Sequence, residues 1–157
     1  MKIINEMRTD FLACSENEAF ARMVISAFLL PLNPTLEQLG DVKTSISEAV
    51  TNAIVHGYKK EKGTVRMKAT LNEDGELTVD VIDNGCGIQD IEAARKPFFT
   101  SDAGDERSGM GFTVMESFMD DVMVSSEVGC GTTVRMRKMI ANALASSATN
   151  ITFALNA

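Results

Sequence analysis

Tryptophan is absent from this 157-residue chain, and tyrosine and histidine occur once each. With phenylalanine included, aromatic residues make up only 6% of the chain, so a platform on which successive nucleobases stack is not expected. Basic residues are outnumbered, 15 lysines and arginines against 22 aspartates and glutamates, for a formal net charge of −7. A basic surface is what draws proteins to nucleic acid or anionic membrane, so neither is expected as a direct partner. The three cysteines, Cys14, Cys86 and Cys130, share no metal-ligand spacing. An odd, scattered set suits a reducing compartment, the thiols being buried or in loops without a role. No apolar run reaches the ~18 residues of a membrane span, and Met1-Lys2-Ile3-Ile4-Asn5-Glu6 lacks the apolar stretch of a secretion signal. The expectation is a soluble cytoplasmic protein. Also missing are Gly-xxxx-Gly-Lys-Ser/Thr, His-Arg-Asp and Asp-Phe-Gly. Their absence excludes a Walker A nucleotide site and a kinase of the eukaryotic type.

What is present is apolar material for one core, 45% of the residues, in a length that fits one domain. Residues 6 to 13 alternate weakly, as an edge strand does. Ser15-Glu16-Asn17-Glu18 has the form of a capping box. The helix behind it carries Ala19, Phe20, Met23, Val24, Ala27 and Phe28 at helical spacing, until Pro31 and Pro34 break it. Thr35 with Gln38 makes a second box. Leu36, Leu39, Val42, Ile46, Ala49, Ala53 and Ile54 then form a stripe running to Gly57, read as the C-cap. Residues 65–71 and 77–82 alternate around Asn72-Glu73-Asp74-Gly75, the pattern of a β-hairpin with one buried face. Residues 88–94 suggest a short helix, 95–108 a long polar loop, and 112–118 another helix. Residues 122–126 and 132–138 pair around a glycine-containing turn. Residues 139–157 read as a frayed helix or a disordered tail outside a single domain of residues 1–138. The fold class expected is α+β: two layers, a mixed and mainly antiparallel sheet with helices on one face.

Three short runs carry the chemistry. In Ser47-Glu48-Ala49-Val50-Thr51-Asn52, Glu48 and Asn52 stand one helical turn apart, about 40° around the axis. They point more than about 100° away from the apolar stripe. A carboxylate there suits proton abstraction from a hydroxyl, and an amide oxygen suits a hard cation such as Mg²⁺. The same spacing also describes an ordinary solvated helix face. In Asp83-Asn84-Gly85-Cys86-Gly87, an acid ends an alternating strand. It suits an exocyclic amine such as that of adenine, approached closely past the glycines; a plain turn uses the same residues. Gly109-Met110-Gly111-Phe112 opens a helix, where backbone N–H groups bind anions. Thr132, after a hairpin turn, reads either as reinforcing the adenine contact or as a plain strand residue. His56, beside Gly57, reads as a cap donor and dipole partner or as a phosphoacceptor or base, the first being the commoner use.

The order and spacing of Glu48-xxx-Asn52, Asp83-x-Gly85-x-Gly87, Gly109-x-Gly111 and Gly131-Thr132 resemble the four motif boxes of the GHKL ATPases. Within that superfamily, residues 47–57, 106–112 and Asn17-Glu18-Ala19-Phe20-Ala21-Arg22 look like the serine-kinase anti-sigma factors of spore-forming bacteria, over about residues 5 to 138. The resemblance implies a Bergerat-type sandwich, a homodimer, and ATP or ADP with Mg²⁺ as ligands. It implies a sporulation sigma factor (sigma F type) held inactive and a serine of an anti-anti-sigma protein phosphorylated. By position, Glu48 would be the general base and Asn52 the Mg²⁺ ligand. Asp83, Gly85, Gly87 and Thr132 would hold adenine. Gly109 and Gly111 would cradle phosphates, with Thr100, Ser108, Met110 and Phe112 beside them. Arg107 would reach the γ-phosphate or the docked partner, and residues 97–108 would form a nucleotide lid. Arg22, with Glu18, would contact both protein partners. The alternatives are a nucleotide-gated anti-sigma clamp without turnover and, lower, a histidine-kinase ATPase domain.

Overall fold

The computed structural model describes residues 1–97 and 109–140. These residues build a five-stranded sheet from β1 (Ile3–Leu12), β2 (Thr64–Asn72), β3 (Glu76–Asp83), β4 (Asp121–Glu127) and β5 (Gly131–Met139). The helices are α1 (Glu16–Leu29), α2 (Leu36–Asn52), α3 (Ile91–Arg95) and α4 (Gly111–Phe118). The strand order is β1-β2-β3-β5-β4 and every pairing is antiparallel. The sheet, expected to be mixed and mainly antiparallel, is antiparallel throughout the described residues.

Alternation decides which face the helices cover. Val65, Met67, Ala69 and Leu71 of β2 are buried, as are Leu77, Val79 and Val81 of β3 and Val134 and Met136 of β5. Arg66, Lys68, Asp80, Arg135 and Arg137 stand on the opposite face. There they pair across strands, Arg66 with Asp10 at 2.8 Å, Arg135 with Asp80 at 2.7 Å and Arg137 with Asp121 at 2.7 Å. Against the apolar face pack α2, flanked by α1 and α4, with Ile25, Leu29, Val42, Ile46, Val50 and Met115 fully buried. Each large apolar side chain so buried stabilises by about 1.5–3 kcal/mol.

The helix signals fared unequally. Thr35 and Gln38 form the reciprocal capping box that their spacing predicts. Ser15 and Glu18 do not. Ser15 already has helical φ and ψ, so its hydroxyl caps nothing. The Glu18 carboxylate instead accepts from the Ser47 hydroxyl at 2.7 Å and pairs with Arg22. The buried face of α1 is Ala21, Ile25 and Leu29, with Val24 and Phe28 half-buried. Phe20 and Met23, expected in the core, are 44% and 68% exposed. Apolar residues flank the row of Glu18, Arg22 and Ser26 on both sides, so periodicity does not single out the packed side. Leu36, at the first position of α2 and ahead of the core contacts, is also exposed. Gly57 is not a left-handed C-cap. The helix widens into a π-type turn over Ala53–Gly57, and the left-handed residues come later, at Lys59 and Lys60. The short helix begins at Ile91 rather than 88, capped by the Asp90 carboxylate, which accepts from the Ala93 N–H at 2.9 Å.

Candidate functional site

The strand order builds the floor of the site. Because β5 lies between β3 and β4, Asp83 is paired with Thr132, and Thr132 with Ser126. Three polar side chains thus lie in one row, on the face otherwise filled with valine and methionine. Asp83 is 7% exposed. It accepts from the Gly85 N–H at 2.9 Å and from the Thr132 N–H. Burial pushes its carboxyl above the usual carboxylate range, and those two backbone donors only partly offset the cost. Among the described residues no cationic side chain pairs with it.

The turn after α2 closes on this acid. A Cβ at Gly57 would stand 2.8 Å from Asp83 Oδ1, and one at Gly85 would collide with the Gly57 carbonyl. That carbonyl accepts from the Cys86 N–H at 2.9 Å, and the Cys86 thiol donates to the His56 carbonyl at 3.1 Å. The glycines are needed for close backbone approach. Tyr58 braces the same loop. Its hydroxyl accepts from the Asn84 N–H at 2.8 Å and donates to the Thr64 carbonyl at 2.6 Å.

The opposite wall comes from α2 and α4. Gly111 sits over the predicted acid and amide: a Cβ there would be 3.1 Å from Glu48 Oε2 and 3.4 Å from both Asn52 side-chain heteroatoms. Glu48 and Asn52 are half-buried beneath this helix start rather than on an open face. The N-cap of α4 is Met110, which supplies no side-chain acceptor to the first N–H groups. Among the described residues no side chain caps those donors, an arrangement that suits an anion.

Between the walls lies a cavity of about 970 Å³, lined among others by Asn52, Asp83, Gly87, Gly109, Gly111, Phe112 and Thr132. One end offers acceptors set in an apolar surround of Ala49, Ala53, Val81, Ile88 and Val134. The other offers the helix N-terminus. A flat base with an amino group, carrying phosphates, matches both ends. Among the described residues no cluster of three or more His, Cys, Asp or Glu could hold a metal. Asn52 fits the other mode, in which Mg²⁺ takes one or two protein oxygens and phosphate oxygens for the rest.

Arg22 and Glu18 do not join this cavity. They line a separate groove between α1 and α2 with Gly40, Lys43, Thr44 and Ser47. Thr100, Arg107 and Ser108, and the expected lid and tail apart from Pro97, Met139 and Ile140, lie outside the described residues. Ser126, Tyr58 and Cys86 were not singled out from the sequence. Only Ser126 had a signal: alternation from Val122 puts it on the core face, opposite Thr132 across the turn.

A model of the histidine kinase-like ATPase domain matches residues 12–138. A Clostridium acetobutylicum protein named Anti-sigma F factor is 55% identical, over 87% of this chain and 95% of its own length. One of the same name from Geobacillus kaustophilus is 52% identical, over 90% and 97%. Among solved structures, the RsbU and RsbW domains of a Mycobacterium tuberculosis protein are similar with a TM-score of 0.63 at 20% identity, over 87% of this chain and 32% of that one. The catalytic domain of the histidine kinase ThkA is similar with a TM-score of 0.54 at 14% identity, over 85% and 96%. At such identities the likeness speaks for the fold alone. No helix among the described residues is long and apolar enough to cross a membrane.

Proposed function

The chain belongs to the histidine kinase-like ATPase family, alongside relatives named anti-sigma F factor, and from that membership we propose that it is an anti-sigma factor. It holds a sporulation sigma factor of the sigma F type inactive and, with Mg-ATP, phosphorylates a serine of an anti-anti-sigma protein. One observation supports the kinase half above the others. Gly111 brings the N–H donors of α4 directly over Glu48 and Asn52, so an anion site, a base and a hard oxygen ligand share one wall.

Each residue then has a role its chemistry suits. Asp83 accepts from the adenine amino group, and the glycine-lined gap beside it admits the ring. The N–H groups at Gly111 and Phe112 bind phosphate oxygens. Asn52 offers its amide oxygen to Mg²⁺. When bound, that ion supplies charge neutralisation on the transferring phosphoryl group. Glu48 takes the proton of the attacking serine hydroxyl. Arg22 and Glu18 lie on a different surface, which suits contact with a protein rather than with nucleotide. A homodimer in the cytoplasm completes the proposal.

The test is transfer of label from Mg-ATP to a serine of a candidate anti-anti-sigma protein, with Glu48→Ala in parallel. Label that disappears in the variant while ATP still binds is the expected result. Binding without label in the wild type would leave a nucleotide-gated clamp. Loss of ATP binding in Glu48→Ala would make Glu48 a structural residue instead of the base.

A further inference from the structure

Ser126 ends a hydrogen-bond relay that reaches the floor of the cavity. Its hydroxyl oxygen accepts from the Ile88 N–H at 2.7 Å. It lies 3.0 Å from the Gly131 carbonyl oxygen and 2.8 Å from the Thr132 hydroxyl oxygen. A serine hydroxyl has one proton and two acceptor sites. A carbonyl only accepts. One assignment satisfies all three contacts together: Ser126 accepts from Ile88, donates to Gly131, and accepts the proton of Thr132. The Thr132 hydroxyl then has only lone pairs left to show the cavity, which both residues line.

We propose that Ser126 is a specificity-determining residue, acting through Thr132 to make the floor of the cavity an acceptor-only surface that selects 6-aminopurines over 6-oxopurines. Asp83 and Thr132 are adjacent in the sheet register, so both acceptors can address one C6 substituent, whose amino form carries two protons. A 6-amino group donates to them. A 6-oxo group meets lone pair with lone pair, and a site whose buried polar groups go unmatched rejects its ligand. Ser126 touches no nucleotide in this scheme. It is a positioning residue, and the Ile88 N–H ties it to the loop that follows Asp83. This inference rests on the cavity being a purine nucleotide site.

The test measures dissociation constants for ATP and for ITP, which differ at C6 and in the N1 proton, on the full-length wild type, Ser126→Ala and Ser126→Thr. The wild type should prefer ATP. In Ser126→Ala the Thr132 proton is released to turn toward a 6-oxo group, so the preference should shrink about tenfold, the scale of one buried hydrogen bond. Ser126→Thr keeps the hydroxyl and should keep the preference, which also guards against a folding defect in the alanine variant. Equal weakening of both nucleotides in Ser126→Ala, or an unchanged ratio, would overturn the role of Ser126 alone. A wild type that binds both nucleotides without preference would overturn it together with the amino-group contact of Asp83. Binding of neither would remove the nucleotide site and this inference with it.

Discussion

Asp10 and Asp83 are carboxylates of the same sheet under opposite conditions. Asp10 stands on the open face, where the Arg66 guanidinium donates to both its oxygens at 2.8 and 2.9 Å. That pairing holds its pKa down to about 2. Asp83 stands on the helix-covered face, where its partners are two backbone N–H groups and its pKa is raised by burial. On the open face Asp80 likewise pairs with Arg135, and Asp121 with Arg137. At Asp83 the protein holds acceptor capacity that its own described side chains do not fill, and it does so beside a cavity. An incompletely matched polar group at a cavity floor is what a ligand can complete.

The comparison is broken most severely by Asp83→Asn. We expect nucleotide affinity to fall about 10- to 100-fold, the range for losing a charged hydrogen-bond partner. The ligand-free protein should respond differently. Burial raises the folded pKa of Asp83 above its unfolded value of 3.8. Ionisation therefore favours the unfolded chain, and stability is lost as pH rises from 3.8 through the folded value. Removing the titration should flatten that decline. Urea unfolding of both proteins between pH 4 and pH 7 reads it. A stability difference that does not change with pH would mean that Asp83 carries no such cost.

Much of this was legible in the residues. Alternation in 65–71 and 77–82 gave the hairpin and its buried face, because a period of two has only one inward set. The Thr35 box was legible because both partners are local. Glu48 and Asn52 could be placed on one helix face from angles alone. The row Asp83–Thr132–Ser126 could not be found that way. It depends on β5 lying between β3 and β4, and strand order is set by tertiary packing that no local pattern encodes. The same holds for Gly111 over Glu48, which joins residues more than 60 positions apart. The packed face of α1 is less legible because apolar residues flank its polar row of Glu18, Arg22 and Ser26 on both sides, and only tertiary packing chooses between them.

Ser45 sharpens the comparison as a control. It is fully buried on α2, and its hydroxyl has no hydrogen-bond partner among the described residues. Unlike Asp83 it lines neither the central cavity nor the groove at Arg22. An unmatched polar group without a cavity has nothing to recognise, and it should only destabilise. Ser45→Ala is therefore expected to raise stability by about 1 kcal/mol, the lower part of the cost of a buried unsatisfied group, and to leave ATP affinity unchanged. Chemical denaturation and a nucleotide titration measure the two halves. A loss of stability would show that the hydroxyl has a partner after all.

The smallest effect belongs to the other aspartate. Asp10 is exposed, and exposed ion pairs contribute little and are screened by salt. Its folded pKa lies below its unfolded 3.8, so its contribution is fully present above that value and fades as pH falls toward about 2. Asp10→Asn should cost a small amount of stability at pH 7 and none once the wild-type carboxylate is protonated. The same small cost should shrink in high salt, whereas the loss of nucleotide affinity in Asp83→Asn should not, because that group is shielded from ions by burial. Stability of the wild type and Asp10→Asn across pH 2 to 5, repeated in molar salt, separates the cases. A large, salt-insensitive loss at Asp10 would mean that the open face of the sheet is covered in solution.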